Sequence, residues 1–350
     1  HDPILSRIGA SGKAGAVQYG APLREQIARE HRIRSIIDFA DQQVFRGAST
    51  YTAIHVLEKA SGRESVDYAR LVKLEDGDRQ CREIDLGVRS ELVERFRAEQ
   101  PVDGSPWFFN PPAIVEFLTR LEMRGTPLYP GVAVEVFQGI ISGADDVFLS
   151  EGWAEGGKAS GLVTFSSAAP GRAVEIERAA VVPVMRREGF SAYRAAHVEL
   201  LILPYDRETE GLLEKDVLAR MWPRTWRYLS ECKQALLARE DGRFADTWWC
   251  LSRAQNVRRW LGPKVMVPYM VDRLQALYDV DGHFFVNVTT GGYGLELADQ
   301  GIEDWPFILV GLLNSRLLDY WLRRKSNHFQ GGYFPANKQF IEGMPIWVPK

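Results

Sequence analysis

A run of basic, amide and aromatic residues near the end of the sequence has the chemistry needed to bind nucleic acid. Its basic members are Arg316, Arg323, Arg324, Lys325 and Lys338, and Asn327, His328, Gln330 and Tyr333 lie around a Gly331-Gly332 pair. Lysine and arginine bind phosphates, asparagine and glutamine can bond to adenine, arginine can bond to guanine, and glycines let a backbone approach a ligand closely. Arg323 to Lys325 also suit the negative C-terminal end of a helix, which is the competing explanation. Because cation, amide, aromatic ring and glycine pair occur together, the pattern favours a contact with DNA.

A second basic stretch contains Arg253, Arg258, Arg259 and Lys264, and the next acidic residue after it is Asp272. These cations could face phosphates. They could equally form a solvated charged surface, and the sequence leaves both interpretations open for Arg258 and Arg259. The whole chain has a net charge of −3 and a pI of about 6.2. Any contact with DNA must therefore come from local groups of this kind.

The tripeptide Asn110-Pro111-Pro112, followed by Ala113, predicts the beginning of a helix. Asn110 can cap a helix and Pro111 suits its first position, while Gly125 can end it. Four apolar residues at helical spacing then line one face: Ile114, Val115, Leu118 and Leu121.

Three other patterns could indicate catalysis, and each has a simpler explanation. Asp145-Asp146 lacks further carboxylates at metal-binding spacing, so we predict that it caps a turn. Glu231-Cys232-Lys233 has a nuclease-like Glu-x-Lys pattern, but it lies in a helical segment without a preceding strand aspartate. The six histidines form no HxxxH pair and the three cysteines no CxxC pair. No metal site is therefore predicted.

The elements that position these residues are predicted to form an α+β fold, and 350 residues are enough for two domains. Pro22 to Ala60 has the pattern helix, strand, loop, strand, with strands at "IRSIIDF" and "YTAIHVLEK". Further along, we predict helices at "RSELVERFRAEQ" and "WPFILVGLLNSRLLDYWLRRKS", a helical region interrupted at Pro223, and a hairpin around Asp281-Gly282.

Two parts of the sequence resemble known protein families. "YGAPLREQIAREHRIRSIIDFADQQVFRGASTYTAIHVLEK" resembles the last part of the catalytic domain of adenine-specific DNA methyltransferases of restriction-modification systems. "FQGIISGADDVFL", "GPKVMVPYM", "YDVDGHFFVNVTT" and "LVGLLNSRLLDYWLRRKSNHFQGGYFPANKQFIEGMPI" together resemble the TaqI-like C-terminal specificity domain. The resemblance implies the remnant of an α/β methyltransferase sheet in residues 1–60, a connecting segment in 61–105, and a mixed α/β target recognition domain in 106–350.

The resemblance also implies that this chain is part of a larger enzyme, whose catalytic loop and cofactor-binding loop lie outside it. Phe45 of "VFRGAST" matches the aromatic residue that stacks on a flipped adenine; packing of the strand edge is the alternative. The family's Asn-Pro-Pro-aromatic catalytic loop precedes the "IIDF" strand, whereas Asn110 follows it and Ala113 replaces the aromatic. The glycine run Gly9 to Gly15 follows no hydrophobic strand. S-adenosyl-L-methionine (AdoMet) is therefore implied for the parent enzyme and not for this chain, which should not methylate alone.

The resemblance makes double-stranded DNA the expected partner, with the rest of the enzyme or other restriction-modification subunits beside it. The implied role is to direct methyl transfer to the exocyclic amine of one adenine, in restriction-modification or phage defence. The alternatives are a protein-interaction or scaffold module, a DNA-mimic inhibitor, or a complete enzyme with an unrecognised site. The cysteine usage fits a reducing bacterial cytoplasm, and no apolar run approaches about 20 residues.

Overall fold

The computed structural model describes residues 20–30, 32–45, 52–59, 65–85, 87–156, 161–169, 171–254, 257–287 and 291–349. The chain forms two compact units. Unit 1 contains His1–Thr126 and Arg316–Pro335, and unit 2 contains Pro127–Ser315 and Ala336–Lys350. Both helices and small sheets are present, so the predicted α+β fold class is confirmed.

Helices and strands are interspersed along the described chain. The helices are α1 (Ala21–Glu30), α2 (Gly77–Asp85), α3 (Pro112–Arg124), α4 (Asp145–Phe148), α5 (Lys215–Met221), α6 (Pro223–Glu231), α7 (Lys233–Leu237), α8 (Val257–Leu261), α9 (Trp305–Leu313), α10 (Arg316–Lys325) and α11 (Lys338–Ile341). The strands are β1 (Arg32–Asp38), β2 (Ala53–Glu58), β3 (Val66–Leu71), β4 (Val93–Ala98), β5 (Thr126–Pro127), β6 (Ala133–Gln138), β7 (Gly152–Glu155), β8 (Leu162–Ser167), β9 (Arg172–Glu177), β10 (Val181–Met185), β11 (Phe190–Ser191), β12 (Arg194–Ala195), β13 (Glu199–Ile202), β14 (Lys264–Pro268), β15 (Met270–Val271), β16 (Leu277–Asp279), β17 (Phe284–Phe285), β18 (Gly292–Leu297), β19 (Phe334–Pro335) and β20 (Pro345–Ile346).

Unit 1 is built on a four-stranded sheet with the order β2-β1-β3-β4. β1 is antiparallel to β2 and parallel to β3, and β3 is antiparallel to β4. The sheet residues Ile33, Ile36 and Tyr68 form a core with Ile27 of α1. The helix and the two strands predicted between Pro22 and Ala60 are therefore confirmed.

The helix predicted at "RSELVERFRAEQ" is wrong, because this segment forms β4. Val66 of β3 pairs with Ala98, and Leu71 pairs with Val93. Glutamate and arginine favour helices locally, but pairing with β3 buries Val93 and Ala98 and outweighs that preference.

Unit 2 contains three larger sheets, with the orders β16-β14-β18-β6, β13-β10-β17 and β7-β8-β9. Its core includes large, fully buried side chains: Phe148, Phe165, Met185, Trp260, Phe284 and Phe285. The hairpin predicted around Asp281-Gly282 is wrong, because β16 pairs with β14 whereas β17 pairs with β10. The turn at Gly282 (φ 75°) leads from one sheet to the other, and a Cβ there would lie 2.2 Å from the carbonyl oxygen of Leu261.

The long apolar helix predicted from Trp305 onward is divided into α9 and α10 by Asn314 and Ser315. Asn314 is buried, and its side-chain oxygen accepts the N–H of Ala276 at 3.0 Å. Its side-chain nitrogen donates to the carbonyl oxygens of Ala276 and Val310, each at 2.9 Å. The predicted interruption at Pro223 is confirmed, since α6 begins there. Among the described helices, none combines the length and the apolar character that a bilayer crossing requires.

Candidate nucleic-acid interface

A concave pocket in unit 1 brings together residues that are far apart in the sequence. It is lined by the ends of β1 and β3, the start of β2, the segment 107–110, and the end of α10 with the residues after it. Its volume is about 100 Å³, far below the several hundred Å³ of a pocket that encloses a whole ligand. The pocket therefore suits one part of a larger ligand that lies across it.

The floor of the pocket is formed by Asp38, Tyr68 and Arg70. The hydroxyl of Tyr68 donates to Oδ2 of Asp38 at 2.5 Å, and Nε of Arg70 lies 3.5 Å from the same oxygen. The Tyr68 ring packs on Phe96 and Phe109, with centroids 4.8 and 5.3 Å away. Burial and the negative charge of Asp38 raise the pKa of Tyr68 well above its ordinary value. Tyr68 therefore remains a hydrogen-bond donor at all physiological pH values.

Two histidines of the pocket are uncharged at neutral pH. Burial lowers the pKa of His55, although the carboxylate of Asp38 partly opposes this. Burial lowers the pKa of His328 to about 4; the positive charges of Arg70 and Arg324 add to this effect, while Asp38 and the nearby Asp41 oppose it. Each imidazole can thus offer one donor and one acceptor to a ligand.

The three cations at the end of α10 differ in how their charge is compensated. Nε of Arg323 donates to Oδ2 of Asp319 at 2.9 Å, and Nζ of Lys325 lies 2.8 Å from Oε1 of Glu122. The guanidinium of Arg324 lies over the ring of Tyr320, 5.3 Å from its centroid. Within the part of the chain that the structure describes, no carboxylate is at ion-pair distance from Arg324. Arg324 therefore offers the pocket an uncompensated positive charge.

Asn110 holds the end of α10 in place and does not cap α3 as predicted. The predicted helix is present as α3, but it begins at Pro112, and the extended Pro111 occupies the cap position. The side-chain nitrogen of Asn110 instead donates to the carbonyl oxygen of Arg324 at 3.2 Å. This bond satisfies a carbonyl that the end of a helix leaves without an intrahelical partner. The predicted end of α3 is confirmed, since the N–H of Gly125 bonds to the carbonyl oxygen of Leu121.

The residues after α10 turn back through a glycine loop. Asn327 and His328 line the pocket, and the His328 ring packs edge-on against Phe334, with centroids 4.7 Å apart. Gly331 and Gly332 have φ angles of 79° and 77°, which other residues adopt with strain. Tyr333 follows them and pairs through its backbone with Phe329. The side chain of Gln330 lies outside the described residues, as does the glycine run from Gly9 to Gly15.

Phe45 lies at a bend after β1 and is 48% exposed. Its ring is accessible, as a base-stacking role requires. The stacking itself stays a prediction, since residues 46–51, which follow it, lie outside the described chain.

Four other cations predicted to contact DNA lie in unit 2 and have acidic or carbonyl partners: Arg258, Arg259, Lys264 and Lys338. Arg258 is exposed; it donates to the carbonyl oxygen of Glu208 and lies 4.0 Å from Glu210. Arg259 is 3.1 Å from Glu296 and 3.9 Å from Glu135. Lys338 is 3.6 Å from both Glu135 and Glu342.

Lys264 differs from the other three cations in being buried, since its side chain is only 1% exposed. Its Nζ donates to Oδ2 of Asp279 at 2.5 Å and to the carbonyl oxygen of Trp260 at 2.7 Å. Oδ1 of Asp279 bonds to Nδ1 of His283 at 2.7 Å, and with Asp281 these groups lie close enough to be metal ligands. The ammonium of Lys264 already forms an ion pair with the carboxylate of Asp279. We therefore interpret this cluster as a structural ion pair. Asp145 and Asp146 lie in the first turn of α4, where Asp145 accepts a hydrogen bond from Ser142.

Sequence patterns did not reveal Asp38, Tyr68, Arg70, His55 and Trp107 as members of the pocket. Asp38 and Arg70 are brought together by the parallel pairing of β1 with β3, which sets them opposite each other. His55 joins them through the antiparallel pairing of β2 with β1, which sets it opposite Ile36. The one sequence feature that could have indicated the pocket is Asp38, an acidic residue at the carboxyl end of β1.

Comparisons with solved structures show that this chain shares its fold with part of a restriction-modification enzyme. No protein-family model matches the sequence, and no curated protein is significantly similar to it. The type IIL restriction-modification enzyme MmeI, whose structure was solved in complex with DNA, aligns with 97% of this chain at a TM-score of 0.52 and 11% identity. The type IIG restriction endonuclease BpuSI aligns with 100% of it at a TM-score of 0.39 and 11% identity, which is too low to support an argument. This chain spans 38% of MmeI and 40% of BpuSI.

Proposed function

We propose that this chain is the DNA-recognition part of a restriction-modification enzyme. The observation that carries the proposal is the uncompensated charge of Arg324 in a small pocket with aromatic rings, two neutral histidines and the amide of Asn327. A phosphate of the DNA backbone needs such a cation, and the neighbouring donors can bond to its oxygens. The fold shared with MmeI supports the same function, because MmeI was solved bound to DNA.

The proposal includes the chemistry that recognition would serve. DNA bound by this chain would present one adenine to catalytic residues outside it, and those residues would transfer the methyl group of AdoMet to the exocyclic amine. The exposed ring of Phe45 is the candidate to stack on that adenine, since a base removed from the helix loses its stacking partners. The proposed role of this chain itself is binding and positioning.

Binding to duplex DNA across a salt series tests the proposal, with fluorescence anisotropy as the measurement. Each phosphate contact contributes about 0.9 to the slope of log affinity against log salt concentration. We expect Arg324→Ala to weaken binding and to lower the slope by about 1. Lys325→Ala should change the slope less, because Glu122 already compensates the charge of its neighbour Lys325.

Arg120→Ala is the matched control, since it removes an exposed arginine from α3 outside the pocket. Its slope should equal that of the wild type. An Arg324→Ala slope equal to that of the wild type would remove the pocket from the interface. Absence of salt-sensitive binding in the wild type would instead favour a protein-interaction module or a DNA-mimic inhibitor.

A further inference from the structure

A second concave site lies within unit 2, at the end of β6. Its lining includes Gln138, Gly139, Ile141, Arg253 and Asn287, together with the charged residues Glu135, Arg259 and Lys338. Its volume is about 260 Å³. Gln138 and Arg253 are exposed and Asn287 is partly exposed, so all three side chains can reach a ligand.

The floor of this cleft is held by backbone hydrogen bonds. Ile140 donates to the carbonyl oxygen of Phe285 at 2.9 Å and accepts the N–H of Asn287 at 2.8 Å. Ile141 and Arg253 exchange two bonds, of 3.1 and 2.9 Å. A Cβ on Gly139 would lie 2.3 Å from the carbonyl oxygen of Phe285, so a glycine is required for this close approach. The three backbone segments that carry Gln138, Arg253 and Asn287 are therefore fixed relative to one another, as a selective site needs.

The charges of the cleft are nearly balanced. Arg259 and Lys338 lie on either side of Glu135, and each also has a carboxylate of its own, Glu296 for Arg259 and Glu342 for Lys338. Among the described residues, Arg253 has no carboxylate at ion-pair distance. A site for phosphates carries a net positive charge, whereas the edges of bases are neutral and recognise matched donors and acceptors.

We propose that this cleft reads base edges in the major groove of duplex DNA through Gln138, Asn287 and Arg253. Glutamine and asparagine form paired bonds with adenine, and arginine forms them with guanine. Gln138 is the last residue of β6 and is paired there with the buried Tyr293 of β18, which fixes the backbone position from which its amide extends. This inference rests on the proposed function, and it assigns sequence selection to unit 2 separately from the phosphate contact of Arg324.

Selection of binding sites from a random pool of DNA duplexes tests the inference. We expect the wild type to enrich a defined motif. Gln138→Ala, Asn287→Ala and Arg253→Ala should each relax the preference at one or two positions of that motif by about 5- to 150-fold. Arg253→Lys should lose the preference as well, because it keeps the charge but not the paired donors. Arg220→Ala, which changes an exposed arginine of α5, should keep the whole motif.

Arg324→Ala separates this inference from the proposed function, since it should bind more weakly and still enrich the wild-type motif. Absence of DNA binding by the wild type would overturn both. Binding without an enriched motif, or cleft variants that keep every preferred base, would overturn the inference alone. The inference would also be overturned if the cleft variants lowered the slope of log affinity against log salt concentration but enriched an unchanged motif. That result would identify the cleft as a phosphate site. Circular dichroism and thermal melting verify that each variant is folded.

Discussion

The net charge of the unit 1 pocket depends on which of its ionisable side chains have a partner of opposite charge. Arg70 is balanced by Asp38, Arg323 by Asp319, and the two histidines are neutral at pH 7. Arg324 therefore determines the sign of the potential that a ligand meets in the pocket. A phosphate placed beside His328 would favour the protonated imidazole, so the pocket could gain a second cation on binding.

His328 should make the stability of the folded chain depend on pH. Its pKa is about 4 in the folded state against an ordinary value of 6.5, so the unfolded chain takes up the proton first as the pH falls. The stabilisation is complete above pH 6.5 and is lost between pH 6.5 and 4. We expect the wild type to lose about 1–2 kcal/mol more than His328→Gln between pH 7.5 and 5.0.

Urea unfolding at the two pH values measures this difference. His55→Gln is the companion variant, because the pKa of His55 is shifted in the same direction. Equal losses of stability in the wild type and His328→Gln would show that His328 is not held in its neutral form.

At the scale of elements, the segment before α3 supports the end of α10. The bond from Asn110 to the carbonyl oxygen of Arg324 needs an N–H donor, which aspartate lacks. We expect Asn110→Asp to destabilise the chain by about 1–2 kcal/mol and to speed hydrogen exchange in the last turn of α10. Asn327→Asp is the matched control, because it adds the same charge to the pocket at a side chain without a hydrogen bond in the described structure. Similar exchange in both variants would argue against support by Asn110.

Elements with strong local signals were predictable from the sequence, and elements defined by distant partners were not. α3 has prolines at its start, an apolar face and a terminal glycine, and the structure contains it. β4 has a helix-forming composition and becomes a strand because β3 offers an unpaired edge. The break between α9 and α10 depends on Ala276, which lies 38 residues from Asn314. Among the residues that line the pocket, those of α10 and the loop after it stand out in the sequence as a basic cluster, whereas Asp38 and Arg70 meet only through the sheet.

At the scale of the whole molecule, the net charge of −3 limits how DNA can be bound. A chain with this charge repels a polyanion at long range, so attraction must come from a few local cations. The described structure neutralises most of its candidate cations with nearby acids, as it does for Arg259, Lys325 and Lys338. Few counterions should therefore leave the DNA on binding, and selectivity should come mainly from contacts with bases.

This charge distribution predicts a shallow salt dependence for the wild-type chain. We expect log affinity for a duplex of about 30 base pairs to fall against log salt with a slope between about −1 and −4. Anisotropy titrations from about 25 to 200 mM potassium chloride measure the slope. A slope steeper than about −6 would contradict the prediction and would require a broader basic surface. Arg258 would then be the first residue to test, because its side chain is 66% exposed and its nearest acid, Glu210, lies 4.0 Å away. A loss of about one unit of slope in Arg258→Ala would place unit 2 cations on phosphates.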